Sequence, residues 1–328
     1  MKTVILLFLL VLTHTIVFSQ EIVPTIKGDT ALIKKYKIKS VSIHYKNLST
    51  RESLDNKELV KIDYNKSGNI TFEKYYSIFD VIYYSNEYFY KYNRKGRLIE
   101  KSEIQKEYPQ NEKDSLMLKF TRKLTKQNST NKTWHYFYDK NGNIIKEEGY
   151  DNNEESKLPI LEAIYQYDSK NRKIKVIFTH INNPKSRQNK LETYEYDNSN
   201  RLIKMSEKQI AFKLETIELY EYDEQNRLIK TNRDSGYNSI TIYTKKYDSK
   251  NKLIEEGMYN QGFERWSRVD TLIYENNNLV KKITKGDKGQ EWQETYQSYP
   301  NGLTKEEVHY DGETQKPIYS FITTYTYW

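Results

Sequence analysis

The chain has no cysteine, and only 6 prolines and 12 glycines in 328 residues. The missing thiols exclude disulfides, thiolate metal sites, a cysteine nucleophile and a lipid-modified N-terminal cysteine together. Aliphatic residues are scarce too. With the 31 tyrosines set aside and glycine counted, roughly 30% of residues are apolar, against about 45–50% in ordinary globular domains. That excludes a large aliphatic core, and mean hydropathy is −0.92. After residue 20 no apolar run approaches the roughly 20 residues a membrane-spanning helix needs. There is no basic block: the net charge of +8 is spread as interleaved Lys and Glu, which argues against nucleic acid as a partner. What is abundant is tyrosine, and an aromatic content of 14% argues against disorder.

Residues 1–19 open with Met1-Lys2, continue through an apolar run from Val4 to Leu12, and end in small or β-branched residues before Gln20. This pattern is read as a signal peptide cleaved at Ser19–Gln20. The mature chain is expected to be exported, to the periplasm or to the cell surface and beyond. A cysteine-free exported chain fits a bacterial source.

Self-similarity dominates the rest. Tyr92-Asn-Arg-Lys-Gly-Arg-Leu-Ile99, Tyr138-Asp-Lys-Asn-Gly-Asn-Ile-Ile145 and Tyr167-Asp-Ser-Lys-Asn-Arg-Lys-Ile174 are copies of one phrase. So are Tyr196-Asp-Asn-Ser-Asn-Arg-Leu-Ile203, Tyr222-Asp-Glu-Gln-Asn-Arg-Leu-Ile229 and Tyr247-Asp-Ser-Lys-Asn-Lys-Leu-Ile254. A weaker copy starts at Tyr64, shortened ones at Tyr274 and Tyr299, and a half-copy closes the chain at 325–328. The lead tyrosines recur mostly every 25–29 residues, room for two strands and two turns and too little for a four-stranded propeller blade.

Turn chemistry explains the phrase. Four residues after each lead tyrosine stands Gly or Asn: Gly68, Gly96, Gly142, Asn171, Asn200, Asn226 and Asn251. These residues adopt a left-handed backbone at least cost. A type I turn followed by one left-handed residue makes a three-residue hairpin loop whose first position favours Asp or Asn. Asp139, Asp168, Asp197, Asp223 and Asp248 stand there, each able to accept a bond from the turn's own N–H groups. The register sets Asp168 against Arg172, Asp197 against Arg201 and Asp223 against Arg227, pairs read as scaffold rather than as acid–base machinery. It also sets Tyr92 opposite Leu98, Tyr196 opposite Leu202 and Tyr222 opposite Leu228. With Tyr90, Tyr136, Tyr165, Tyr194 and Tyr220 two residues earlier, one sheet face becomes a ladder of tyrosines packed on Leu and Ile with wet hydroxyls. Lys173 and Lys245 interrupt it. The alternate face is polar. The expected fold is all-β: repetitive antiparallel β-hairpins forming an elongated, twisted or superhelically curled sheet, with residues 20–60 as N-terminal capping strands and 61–328 as the array.

The phrase Glu-Tyr-Asp-x-x-Asn-Arg-Leu-Ile-Lys, intact at 195–204 and 221–230, resembles the YD-repeat, or Rhs-type, family of bacterial surface and secreted proteins. The resemblance covers most of residues 61–328. It implies a curled β-hairpin shell, often carbohydrate-associated, which in long members encloses a C-terminal toxin. Read through that resemblance, the chain is expected to be a short exported member without a toxin domain, and the Asp-Pro-x-Gly self-cleavage motif does not occur in it. Gly-containing copies such as Tyr138–Asn143 also look similar to MORN-like antitoxin or immunity repeats.

Function is expected at the irregular hairpin ends: 101–131, 151–158, 181–189, 206–212, 233–238, 259–264, 285–290 and 311–316. The longest, about 101–131, reads as an insertion or an extra hairpin with Leu116, Leu118 and Phe120 in a strand. Trp266, Trp292, Tyr259 and Phe263 lie near these ends and are the candidate ligand-binding residues, as aromatic platforms for sugar faces. His44, His135, His180 and His309 lack metal-ligand spacing, and no metal or cofactor is expected. Asp29-Thr30-Ala31, Asp114-Ser115-Leu116 and Asp270-Thr271-Leu272 match a bacterial O-glycosylation acceptor pattern. No G-x-S-x-G, H-E-x-x-H or phosphate-cradling motif occurs. The reading is a non-catalytic binding or scaffold protein whose partner is a cell-surface polysaccharide or an envelope protein. The alternatives are a carbohydrate-active enzyme with two converging carboxylates, or an immunity-type protein that neutralises a toxin.

Overall fold

Each copy of the phrase folds as a hairpin in the computed structural model, which describes residues 30–48, 57–78, 82–109, 131–154, 158–236, 239–263, 265–287 and 289–328. A short helix α1 (Thr30–Lys35) precedes β1 (Ile38–Asn47), β2 (Lys57–Tyr64), β3 (Ile70–Ile78), β4 (Ile82–Tyr92), β5 (Leu98–Pro109) and β6 (Asn131–Tyr138). Next come β7 (Ile144–Asp151), β8 (Leu161–Tyr167), β9 (Lys173–His180), β10 (Lys190–Tyr196), β11 (Leu202–Gln209), β12 (Leu214–Tyr222) and β13 (Leu228–Asp234). The last are β14 (Ile240–Tyr247), β15 (Leu253–Asn260), β16 (Arg265–Glu275), β17 (Asn278–Gly286), β18 (Glu291–Ser298), β19 (Thr304–Tyr310) and β20 (Pro317–Tyr327). Strand thus begins at 98 and runs to 109, where an insertion was expected. Residues 1–29 and 110–130, with Leu116, Leu118 and Phe120, lie outside the described residues.

Every strand pairs antiparallel with its successor, and β20 pairs with β1, from Ile38↔Tyr327 to Asn47↔Tyr319. The sheet is therefore a closed barrel of 20 strands, not the open, elongated curl expected from the sequence. The reason is β1: it was expected to cap one edge, but it offers both of its edges, one to β2 and one to β20. Twist brings the ends of the array together, and pairing them satisfies two otherwise exposed rows of backbone groups.

The turns behave as their residues require. Asn171, Asn200, Asn226 and Asn251 have φ of 60, 64, 62 and 63°, and Gly142 has φ 96°. In each, the left-handed N–H bonds the Asp carbonyl and the Asp N–H bonds the carbonyl four residues on, as in Asn171 to Asp168 and Asp168 to Arg172. The predicted pairs Tyr92↔Leu98, Tyr196↔Leu202 and Tyr222↔Leu228 are present. Beyond each the register slips by one residue, so the following isoleucine is a bulge. Ile99, Ile145, Ile174 and Ile203 are each more than a third exposed, where packing on the ladder was expected. Two shortened copies depart further. Asn276 and Asn277 are both left-handed, a two-residue mirror-image turn that accounts for the missing residue. Tyr299 takes the Asp position, its N–H bonding the Leu303 carbonyl, and Ser298 stands where a lead tyrosine was expected.

All tight turns lie on one rim and all irregular loops on the other. The face bearing the lead tyrosines also bears the buried Val41, Ile43, Val60, Ile62 and Tyr64, and is the inward one. The main hydrophobic cluster sits at the seam, where Ile33 of α1, Ile38, Leu303 and Phe321 join these residues. The Tyr36 hydroxyl donates to the Asn301 carbonyl at 2.9 Å, fastening the α1 end to a tight turn. Elsewhere many inner side chains are only half-buried, as expected when a ring of this many strands encloses more space than its side chains fill, although Glu73, Ala163, Val176 and Asp270 are buried.

Candidate functional site

The hydroxyls of most lead tyrosines are not wet, as the sequence suggested, but are structural donors. Near the tight rim, neighbouring hairpins part: the β9–β10 ladder stops at Lys175↔Thr193, short of Lys173. The lead tyrosine of the next hairpin reaches back to the carbonyl left over. Tyr92, Tyr138, Tyr167, Tyr196, Tyr222, Tyr247 and Tyr325 donate to the carbonyls of Ile70, Leu98, Ile144, Lys173, Leu202, Leu228 and Thr304 at 2.6–3.0 Å. Above them runs a second chain. Arg172 binds Asp168 through Nε at 2.7 Å and Asn200 of the next turn through Nη1 at 3.0 Å, with its guanidinium 4.8 Å over the Tyr196 ring. Arg201 and Arg227 repeat this toward Asn226 and Asn251, each at 2.9 Å. Backbone N–H donors and these arginines hold the carboxyls of Asp168 and Asp197 below the usual range; for Asp223 the same bonds outweigh partial burial. The tight rim is thus spoken for by the scaffold.

One step further from the turns the inner tyrosines meet carboxylates. Tyr90 donates to Glu73 at 2.8 Å, Tyr165 to Glu147, Tyr220 to Glu218 and Tyr296 to Glu294 at 2.6 Å, and Tyr194 to Glu192. Burial, with these carboxylates adding to it, pushes the phenols of Tyr90, Tyr165 and Tyr296 far up. Lys173, read as an interruption, instead sits 4.2 Å over the Tyr194 ring, a cation–π contact that preserves the rung.

Toward the irregular rim, strands β6 to β11 and the 181–189 loop enclose a cavity of about 400 Å³. Trp134, Leu161, Ala163 and Phe178 give it an apolar floor, and Glu147, Lys190, Glu207, Arg187 and Gln188 supply polar groups. Trp134 stands opposite Gly149, where a Cβ would lie 3.2 Å from the indole Nε1 and 3.1 Å from Leu161 Cβ. Burial pushes the Glu147 carboxyl above the usual range, with the Tyr165 bond pulling it back. Lys190 lies between Glu192 at 2.8 Å and Glu207 at 2.7 Å; burial opposes its charge, but the carboxylates hold its ammonium above the ordinary lysine value. The loop that carries Arg187 and Gln188 is pinned by buried Asn189. Its side chain accepts the His180 N–H and donates to the Asn183 and Pro184 carbonyls at 2.9 Å, while its own carbonyl accepts the Ile210 N–H. The mouth is therefore preformed.

The aromatic residues singled out in the sequence do not form one surface. Tyr259 and Trp266 are direct cross-strand partners, ring centroids 5.5 Å apart, with Phe263 68% exposed beside them in a 3-10 turn. Trp292 stands opposite Thr284, whose hydroxyl donates at 2.7 Å to buried, inward Asp270. Four residues apart, Trp266 and Asp270 would share a face by alternation, but the bulge at Ser267, between the pairs Tyr259↔Trp266 and Met258↔Arg268, sets them on opposite faces, so Trp266 is outward and Trp292 inward. Among the described residues, Glu294, Glu307 and His309 bring ligand-type atoms within 4.8 Å of one another. Lys282 at 3.3 Å from Glu294 already supplies a cation there.

Sequence reasoning missed Trp134, Glu147, Phe178, Arg187, Lys190 and Glu207, because they converge from five strands and a loop. The one local signal was a glycine inside a strand, Gly149, 15 residues after a tryptophan.

The fold and site define a closed hairpin-repeat barrel with a built cavity at one rim. No family model matches the sequence, and no curated protein matches it. Among solved structures, the TcdB2-TccC3 crystal structure resembles it with a TM-score of 0.38 and 10% identity over 87% of this chain and 18% of that chain. The Photorhabdus luminescens Tc holotoxin pore with a TccC3 substitution gives 0.36 and 10% over 85% and 17%. This chain thus spans less than a fifth of these relatives' length. A porin-like protein from Bacteroides uniformis gives 0.37 and 9% over 88% and 98%. No helix among the described residues is long and apolar enough to cross a membrane.

Proposed function

We propose that this chain is an exported, non-catalytic member of the YD-repeat group that binds a saccharide in the cavity at its irregular rim. The observation that carries the reading is the composition of that cavity: the Trp134 and Phe178 rings beside Glu147, Lys190, Glu207, Arg187 and Gln188. Flat aromatic area with a few convergent polar groups is how small polyhydroxylated ligands are held. The preformed loop supports it, since less ordering is needed on binding. The outward face carries Lys91–Glu100, Lys204–Glu195, Lys230–Glu221 and Lys246–Glu255 ion pairs at 2.6–2.9 Å, a surface suited to water.

A glycan array and tryptophan fluorescence titration test the reading. Saccharide binding that quenches or shifts emission and is lost in Trp134→Ala supports it; no binding to any glycan refutes it. Of the three carboxylates lining the cavity, Glu147, Glu162 and Glu207, the inward pair Glu147 and Glu207 favours a second reading, a glycosidase. Release of reducing ends that stops in Glu147→Gln would replace the first reading with that one.

A further inference from the structure

Among the described residues three glycines belong to strands, Gly149 and Gly257 inside theirs and Gly286 as the last residue of β17, and each lies against a tryptophan. Glycine within a strand weakens it through backbone entropy and lost packing, so its presence marks a close approach. At Gly149 the ring is that of Trp134, in the cavity. At Gly286 it is Trp292: a Cβ there would lie 2.9 Å from Cζ3 and 3.1 Å from Cη2. A Cβ on Gly312 would lie 3.4 Å from Cδ1 of the same ring. The indole of Trp292 therefore rests on glycines under both its six-membered and its five-membered parts, yet 42% of the residue stays exposed.

We infer that Trp292 is a second saccharide platform, on the wall opposite the cavity, so that one oligosaccharide chain is held at two points across the irregular rim. The inference rests on the saccharide reading of the cavity. The cavity is walled by β6 to β11 and Trp292 stands on β18, so that from Trp134 on β6 to Trp292 is eight strands by the shorter way round a ring of 20. Both tryptophans point inward and both stand in the half of their strand nearer the irregular loops. A pyranose ring stacks its C–H face on an indole, and its hydroxyls need donors and acceptors at the edge. Those are present. Glu294, which accepts from Tyr296, follows two residues along the same face and keeps lone pairs to share, Lys282 lies 3.3 Å from it with further N–H donors, and the Thr284 hydroxyl, its proton given to Asp270, stands directly opposite the tryptophan as an acceptor.

The full-length protein is run by affinity electrophoresis through gels containing dextran, xylan, galactomannan or mixed-linkage β-glucan, with melting temperature and near-UV circular dichroism as checks of folding. The expected result is that a polysaccharide retards the native protein. Trp134→Ala and Trp292→Ala each weaken that binding about tenfold, the scale of one lost aromatic contact, and the double variant is not retarded. Gly286→Ala, which keeps the tryptophan but lifts its ring, weakens binding in the same direction and serves if Trp292→Ala fails to fold. Trp292→Ala or Gly286→Ala bound as tightly as the native chain, with Trp134→Ala unbound, overturns the second platform and leaves the cavity reading standing. A native chain retarded by none of the four overturns both.

Discussion

Replacing Tyr196 by phenylalanine removes a single oxygen from the junction between two hairpins. That hydroxyl donates at 2.8 Å to the Lys173 carbonyl, which the β9–β10 ladder does not reach. The ring itself stays, and so does the Arg172 guanidinium 4.8 Å above it. The loss is therefore one hydrogen bond to a half-buried acceptor, about 1 kcal/mol, rising toward about 3 if the carbonyl finds no other donor. Tyr222 and Tyr247 serve different carbonyls, Leu202 and Leu228, so the triple Phe variant should lose about 3 kcal/mol. An unfolding entropy of about 2.1 cal/mol/K per residue makes that roughly 4 °C in melting temperature for a chain of this size. Scanning calorimetry and urea titration measure it. Tyr243→Phe is the control, since Tyr243 is over a third exposed and its hydroxyl makes no hydrogen bond among the described residues. The reasoning is refuted if the triple variant melts within about 1 °C of the parent, or if the control loses as much as Tyr196→Phe.

Alkali should unfold the barrel through its inner face. Burial, with nearby carboxylates, raises Tyr88 and Tyr92 from 10.0 to about 12, so the folded state keeps protons that the unfolded chain releases. Their contribution is whole below pH 10 and is lost as pH rises toward 12. Phenolate absorbance should appear together with loss of circular dichroism; normal titration of all tyrosines with the fold intact would contradict this. Acid acts on the turns in the opposite sense: the lowered Asp168 and Asp197 stabilise the fold above about pH 3.8, and that support goes as pH falls through their folded values. Asp197→Asn should shift the acid midpoint to higher pH in a fluorescence titration by less than Asp197→Ala does, since the amide oxygen can still accept the Arg201 N–H. Gly96→Ala meets open space, with nothing nearer than 3.8 Å, and should cost only its left-handed strain, about 1 kcal/mol. Gly142→Ala adds a contact 2.6 Å from Arg97 Nη2 and should cost more in the same denaturation assay. Asn189→Ala removes three bonds that pin the 181–189 loop, and hydrogen exchange of Ile181 and Ile210 should quicken without a change in global unfolding.

What the sequence disclosed was whatever neighbouring residues settle among themselves. The left-handed Asn171 and its fellows, the Asp caps and the Tyr-opposite-Leu register follow from turn geometry within eight residues, and all are present. The closure was hidden because Val41 and Tyr325 pair across nearly the whole chain, and nothing local in either strand names the other. Hydroxyl partners were hidden for a related reason: the Lys173 carbonyl is orphaned only because two hairpins part at that height, a fact of three dimensions. Tyr299 misled because spacing alone cannot tell a lead tyrosine from one that has slipped into the Asp position. The cavity needed six strands and a loop, so none of its residues stood out along the sequence. Trp266 and Trp292 did stand out, but a count of strands and bulges was needed to learn that they look in opposite directions.

The seam between β1 and β20 has a consequence for how such chains can vary. Because every copy contributes an up-going and a down-going strand, gaining or losing a copy changes the circumference by two and still brings opposed directions to the join. Calibre is thereby counted in whole hairpins, and a duplication widens the ring while leaving its fastening untouched.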